Sequence, residues 1–262
     1  MSEFQPFEFV GDFAAGGEGY NSYYRVERAT ADRMYDLLKN FWSSRDNQTV
    51  EEVKGIILSY RESNQHASWE PVRGKLQNIY NERASNTPIS MIDLGGANGS
   101  VYYVLQDMFP DTELGYLLVE PYQEFVDDFL IKFPDQHAIC ADAEQMIALN
   151  DEAFVDQRYT LFFASLVLCM IKPDVVRALF KRVSQLTDQI VLADNIVNVD
   201  GNAGQDDAVL FDYYRDGFQW YFSHYYRKYF DEIGFEIVDV TETLPRVERM
   251  KRGFGVIHAR RR

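Results

Sequence analysis

Cysteine, histidine and basic charge are all scarce in this chain. Of its 262 residues, 2 are cysteine and 4 are histidine. Cys140 and Cys169 each sit in an apolar run, which excludes a disulfide framework and reads as buried reduced thiols in a reducing compartment. Lys and Arg number 26 against 41 Asp and Glu, a formal net charge of −15. Phosphate binding draws its affinity from clustered cations, so a broad nucleic-acid surface is excluded and a small-molecule partner is favoured. The basic group Lys251, Arg252, Arg260, Arg261 and Arg262 reads as a solvated tail. No run of about 18 apolar residues occurs, and MSEFQPFEFVGDF has no basic stretch followed by an apolar one; neither a membrane span nor a secretory leader is expected. The expected location is the cytoplasm. What the chain does have is 46% hydrophobic and 15% aromatic residues, enough to bury a large core.

The texture changes near Asn86-Thr87-Pro88, which divides an N-terminal helical cap or lid (1–87) from a core (88–262). Before the boundary, Met34, Leu37, Leu38 and Phe41 recur at helical spacing, as do Val53, Ile56, Ile57 and Tyr60, and then Val72, Leu76, Ile79 and Tyr80. After it, short apolar runs alternate with helical segments. The strands are expected at Ile89 to Leu94, Leu114 to Glu120, His137 to Ala141, Tyr159 to Ala164 and Ile190 to Asp194. Helices are expected at Val101 to Met108, Gln123 to Lys132 and Pro173 to Leu186. This alternation specifies an α/β, doubly wound sheet with a ligand crevice beyond the carboxyl ends of its strands. A long aromatic helix is expected over roughly Asp207 to Ile233, followed by two closing strands, Phe235 to Thr241 and Gly253 to Ala259.

The sharpest motif is Asp93-Leu94-Gly95-Gly96-Ala97-Asn98-Gly99-Ser100, where the first strand ends and a helix begins. Glycines there permit a tight turn and close approach of a ligand, while Asp93 offers a carboxylate to a cationic or amide-bearing group. A dinucleotide fingerprint wants glycine where this chain has Ala97 and Ser100, and a pyrophosphate has no use for an acid at the strand end. Glu120 closes the second strand, 21 positions after Gly99, and offers two oxygens to a ribose diol. Asp142 follows the third strand and offers an acceptor to an adenine amino group. Three acidic strand ends in succession favour a sulfonium nucleoside.

On these residues the chain resembles the class I S-adenosylmethionine-dependent methyltransferases, from about Pro88 to the C-terminus. The resemblance implies a seven-stranded sheet, mostly parallel with one antiparallel strand, and S-adenosylmethionine as cofactor. It implies cofactor contacts from Asp93, Gly95, Gly96, Ala97, Gly99, Glu120, Asp142, Ala143 and Ser165. Ala164-Ser165-Leu166-Val167 lacks the Asn/Asp-Pro-Pro-aromatic motif of enzymes that methylate the exocyclic amines of bases. Asp194-Asn195 imitates the pair found in metal-dependent catechol-type enzymes, but Ser165 stands where those have an Asp, so no metal is expected.

The acceptor is not legible. Tyr20, Tyr23, Tyr24, Tyr213 and Tyr214 are the candidates for lining its pocket, since tyrosine faces hold either a cationic amine or an aromatic ring. His224 and Asp194 are the candidates for a proton acceptor. Neither is obligatory: alignment of a nucleophile with an activated methyl group can supply up to ~7–11 kcal/mol by itself. The expected activity is in-line methyl transfer to an N, O or C nucleophile of a small molecule. Intramolecular cyclisation or elimination of the cofactor, and a non-catalytic cofactor-sensing subunit, stand as alternatives. Oligomeric state is left open.

Overall fold

Two β-sheets organise the chain, and they meet where the central strands end. A computed structural model describes residues 7–12, 22–43, 70–82, 88–155, 158–196, 198–201, 208–214, 219–242 and 254–262. The larger sheet has seven strands in the order β10-β11-β7-β6-β3-β4-β5. They are β3 (Ile89–Leu94), β4 (Leu114–Glu120), β5 (His137–Cys140), β6 (Leu161–Ser165), β7 (Gln189–Asn195), β10 (Phe235–Glu242) and β11 (Phe254–Arg261). β11 runs antiparallel to both β7 and β10, and the remaining pairings are parallel. This is the doubly wound, seven-stranded sheet with one reversed strand that the sequence implies.

The apolar strand runs exist because both faces are covered. One face carries Met91, Leu118, Phe163 and Val191 beneath α2 (Glu70–Asn81), α3 (Ser100–Met108) and α4 (Gln123–Lys132). The other carries Ile92, Val119, Phe162 and Leu192 beneath α1 (Arg28–Ser43), α5 (Ala143–Ala148), α6 (Pro173–Leu186) and α7 (Tyr226–Glu232). α6 starts on Pro173, whose fixed φ and missing N–H suit a first helical turn. Its stripe of Val175, Val176, Leu179, Phe180 and Val183 is buried, as a period of 3.6 residues requires.

The smaller sheet was not expected. β1 (Phe7–Asp12), β2 (Ser22–Val26), β8 (Ala208–Tyr214) and β9 (Gln219–Ser223) pair in that order, all antiparallel. Two corrections follow. The segment read as one aromatic helix from Asp207 to Ile233 is a strand pair followed by the short helix α7. The N-terminal part is not helical throughout, because α1 and α2 are joined there by β1 and β2. The dense aromatics that suggested a helix have as strong a preference for strands, and only pairing with a distant partner decides between them. Since β2 pairs with β8, strands from both sides of the 87/88 boundary share one sheet. The predicted helix around Val53 to Tyr60 lies outside the described residues.

Candidate functional site

Strand order reverses at β3, whose neighbours are β4 on one side and β6 on the other. A crevice forms at such a switch because the connections from the two strands leave toward opposite faces. Gly95 continues the parallel ladder by donating to the Val119 carbonyl at 2.7 Å, and the chain then turns through Gly95 (φ 68°), Ala97 (φ 51°) and Gly99 (φ 80°) into α3. Ala97 tolerates the left-handed conformation at a cost, as does Leu166 (φ 56°) in the facing turn after Ser165 of β6. The two turns touch: a Cβ on Gly95 would overlap the Val167 side chain.

The glycines serve the protein's own packing. A Cβ on Gly96 would strike the Asp93 carboxylate and Leu118, and one on Gly99 would strike the Phe129 ring. The loop is thus drawn down onto the sheet. Asp93 lies beneath it, 1% exposed, accepting a hydrogen bond from the Tyr116 hydroxyl. Burial pushes its carboxyl up to about 7. The Gly96 backbone of the loop packs directly on the Asp93 carboxylate.

Glu120 is the carboxylate joined to the loop from the β4 side. Its Oε2 accepts from the Ala97 amide at 3.0 Å and its Oε1 from the Tyr122 amide at 3.2 Å. Burial raises its carboxyl to about 7, against the opposing pull of those two amides. Asp142 is the N-cap of α5, in a reciprocal capping box with Gln145. Its other oxygen pairs with Lys39 of α1 at 3.3 Å, a partner that the sequence reading did not anticipate. Ala143 is buried as the first residue of α5, and Ser165 is half-buried at the end of β6.

The two candidate bases are held in the interior. His224 follows β9 and is 0% exposed; its Nε2 lies 2.7 Å from the Leu168 carbonyl, in the 3-10 turn Leu168–Met170 after β6. A carbonyl only accepts, so Nε2 carries the proton and Nδ1 keeps a lone pair, which has no partner among the described residues. Burial lowers the ring to about 4, which keeps it neutral. Phe222, Tyr226 and Tyr229 surround it. Asp194 is 1% exposed and accepts from the Cys169 amide at 3.1 Å; burial raises it to about 6. Next to it the Ser223 hydroxyl donates to Asn195 at 2.8 Å. These residues form a polar seam joining the smaller sheet to the end of the larger one. Neither His224 nor Asp194 has surface from which to reach an acceptor in this conformation. Burial was the variable that the sequence concealed.

Of the tyrosines, Tyr23 and Tyr24 stand on β2 and Tyr213 and Tyr214 on β8, with Tyr23 opposite Phe211 and Tyr24 opposite Leu210. Two segments remote in sequence are thereby neighbours in one sheet. Tyr20 lies outside the described residues. A cavity of about 920 Å³ opens at the opposite, amino-terminal edge of the large sheet, among Ser90, Tyr102, Gln136, His137, Thr160 and Gln189. Asp93, Glu120 and Asp142 do not line it, so the chemistry of the strand ends lies elsewhere.

No protein-family model matches this chain, and no curated protein matches its sequence. Solved structures do match. The 1,6-didemethyltoxoflavin-N1-methyltransferase of Burkholderia thailandensis, solved with 1,6-didemethyltoxoflavin and S-adenosylhomocysteine, is 14% identical, covers 97% of this chain and 99% of its own, and has a TM-score of 0.55. The fold is that of the class I S-adenosylmethionine-dependent methyltransferases. An S-adenosylmethionine-dependent methyltransferase of Leishmania major has the methyltransferase fold at 14% identity, with coverage of 86% and 82% and a TM-score of 0.54. So does the amino pentose methyltransferase of calicheamicin biosynthesis from Micromonospora echinaspora, at 14% identity, coverage of 79% and 97% and a TM-score of 0.52. With the toxoflavin enzyme, the methyltransferase fold extends over both sheets.

Proposed function

We propose that this protein is an enzyme that binds S-adenosylmethionine at the carboxyl edge of the seven-stranded sheet and transfers its methyl group to a small molecule. The observation that carries this reading is the convergence of the glycine loop, Glu120 and the turn after β6 on the strand-order switch. The residues suit the cofactor. A carboxylate offers about four acceptor positions, and Glu120 uses two on the Ala97 and Tyr122 amides, leaving two for a ribose diol. The Asn98 side-chain oxygen on the loop is buried without a partner among the described residues, an acceptor that a ligand ammonium or amide would satisfy. Asp142 and Ala143 stand where the adenine end would be held, and Ser165 where the turn after β6 closes the crevice.

S-adenosylmethionine, when bound, supplies an electrophilic methyl group on a sulfonium. Everything else falls to the chain. The loop and Glu120 hold the nucleoside in one orientation, and the smaller sheet, whose strands β2 and β8 carry Tyr23, Tyr24, Tyr213 and Tyr214, holds the acceptor and keeps water away. With His224 and Asp194 interior, the acceleration comes from alignment rather than from proton abstraction by either group. The acceptor is a small molecule of biosynthetic or modifying metabolism, and the strong negative charge of the chain argues against nucleic acid.

Calorimetric titration with S-adenosylhomocysteine tests the cofactor. Micromolar binding that Glu120→Ala weakens supports the reading, and no binding by the wild type overturns it. Radiolabelled methyl transfer into the low-molecular-weight fraction of a cell extract tests the acceptor class; label confined to protein or RNA would refute it. Methylthioadenosine formed at catalytic rates without any acceptor would instead reveal intramolecular use of the cofactor.

A further inference from the structure

Helix α1 presents Asp32, Tyr35 and Lys39, at i, i+3 and i+7, on one face. That face meets the N-terminal ends of α5 and α6, the two helices that leave the carboxyl edge on this side of the sheet. Lys39 Nζ pairs with Asp142 at 3.3 Å and more closely with Glu144. Two turns earlier, Asp32 accepts from Nζ of Lys172, the N-cap of α6, at 3.0 Å. Tyr35 lies between them, 7% exposed and part of the core, with the Lys172 and Lys39 ammonium groups 5.5 and 6.0 Å from its ring centre. Along α1 the charges Arg28, Asp32 and Lys39 meet, in turn, Asp174, Lys172 and the Asp142 and Glu144 carboxylates.

Two carboxylates receive Lys39, those of Glu144 and Asp142, and the other oxygen of Asp142 caps α5 by accepting from the Gln145 amide at 2.8 Å. One side chain is therefore shared among the start of α5, helix α1 and the place assigned above to the adenine end. We propose that Lys39 is a positioning residue which couples the docking of α1 to cofactor binding at Asp142. This inference rests on the cofactor reading. Lys39 fixes the direction of the carboxylate that receives the adenine amino group, and the bound nucleoside in turn holds the carboxylate where Lys39 grips it. By reciprocity each event favours the other to the same degree. The pairs are partly exposed, so each is individually weak and screened by salt, which suits a contact that opens and closes.

The test is a calorimetric cycle with S-adenosylhomocysteine on the full chain, comparing wild type, Lys39→Met, Lys39→Arg, Asp142→Asn and the Lys39→Met/Asp142→Asn double variant. Asparagine still caps α5, so the Asp142 variant isolates charge. Lys39→Met is expected to weaken binding about fivefold, the upper range for exposed pairs, with Lys39→Arg close to wild type and no further loss in the double variant. Hydrogen exchange across 28–43 should slow on binding in the wild type and less so in Lys39→Met. Lys39→Gln repeats the neutralisation should the Met variant fold poorly. If Lys39→Met binds as tightly as wild type, or loses the same factor when Asp142 is already Asn, the coupling is wrong while the cofactor reading stands. Failure of the wild type to bind overturns both.

Discussion

The Tyr116 hydroxyl on β4 donates to the Asp93 carboxylate on β3 in a space from which water is excluded, directly under the glycine loop. Tyr116→Phe should leave that carboxyl without its donor and cost ~1–3 kcal/mol of stability, read by urea unfolding. The Tyr116 bond pulls the carboxyl down while burial holds it near 7, so its loss raises the folded value further. A raised carboxyl makes the folded state bind its proton more tightly than the unfolded chain does. Its stabilisation is complete below about pH 4 and is lost as pH rises through about 7. The descending limb of stability against pH should move to higher pH in Tyr116→Phe. An unmoved limb would mean that Asp93 does not titrate there.

Glu120 should make cofactor binding release a proton. Free, its buried carboxyl is raised to about 7. A ribose diol brings two donors, which only the ionised form can accept fully. Affinity for S-adenosylhomocysteine should therefore climb with pH through about 7 and level off above. The calorimetric enthalpy near pH 6 should depend on the buffer's ionisation enthalpy. Glu120→Gln should bind at least about tenfold more weakly, with no pH dependence from this group. A flat wild-type profile would count against Glu120 as the ribose acceptor.

His224 acts as a strut between the smaller sheet and the turn after β6. Replacing it with Phe leaves the Leu168 carbonyl with the Ile171 amide as its donor and removes one buried hydrogen bond, which should cost ~0.5–1.5 kcal/mol. The folded ring is lowered to about 4, so its contribution is present above the unfolded value of about 6.5 and lost as pH falls through about 4. At saturating cofactor, kcat between pH 7 and 9, a range set by these values, should show no ionisation of this residue. A kinetic limb there that disappears in His224→Gln would restore it as a base.

Two glycines should respond in opposite directions. Gly99→Ala forces a left-handed residue (φ 80°) into the Phe129 ring and should cost ~2–4 kcal/mol, with weaker S-adenosylhomocysteine binding as the loop lifts. Gly74→Ala, inside α2 with nothing within 4 Å of the new methyl group, should instead stabilise by ~0.5–1 kcal/mol. Thermal unfolding of the pair separates the packing demand of the loop from ordinary helix propensity.

What the sequence determined by itself was the large sheet and the carboxylates at its strand ends. The runs from Ile89 to Leu94 and Leu114 to Glu120, and the helix over Gln123 to Lys132, match the structure residue for residue, because burial on both faces leaves a continuous apolar signature and short connections leave local turn signals. The placement of Glu120 and Asp142 at strand ends was likewise local information. Tertiary structure alone decided the pairing of β2 with β8, the ion pair of Lys39 with Asp142 across 103 positions (142 − 39), the turning of Asp93 beneath its own loop and the burial of His224. Each depends on a partner far along the chain. Aromatic residues between Asp207 and Ile233 are compatible with helix or strand until such a partner is present, and a histidine's chemistry is undetermined until its solvent is known.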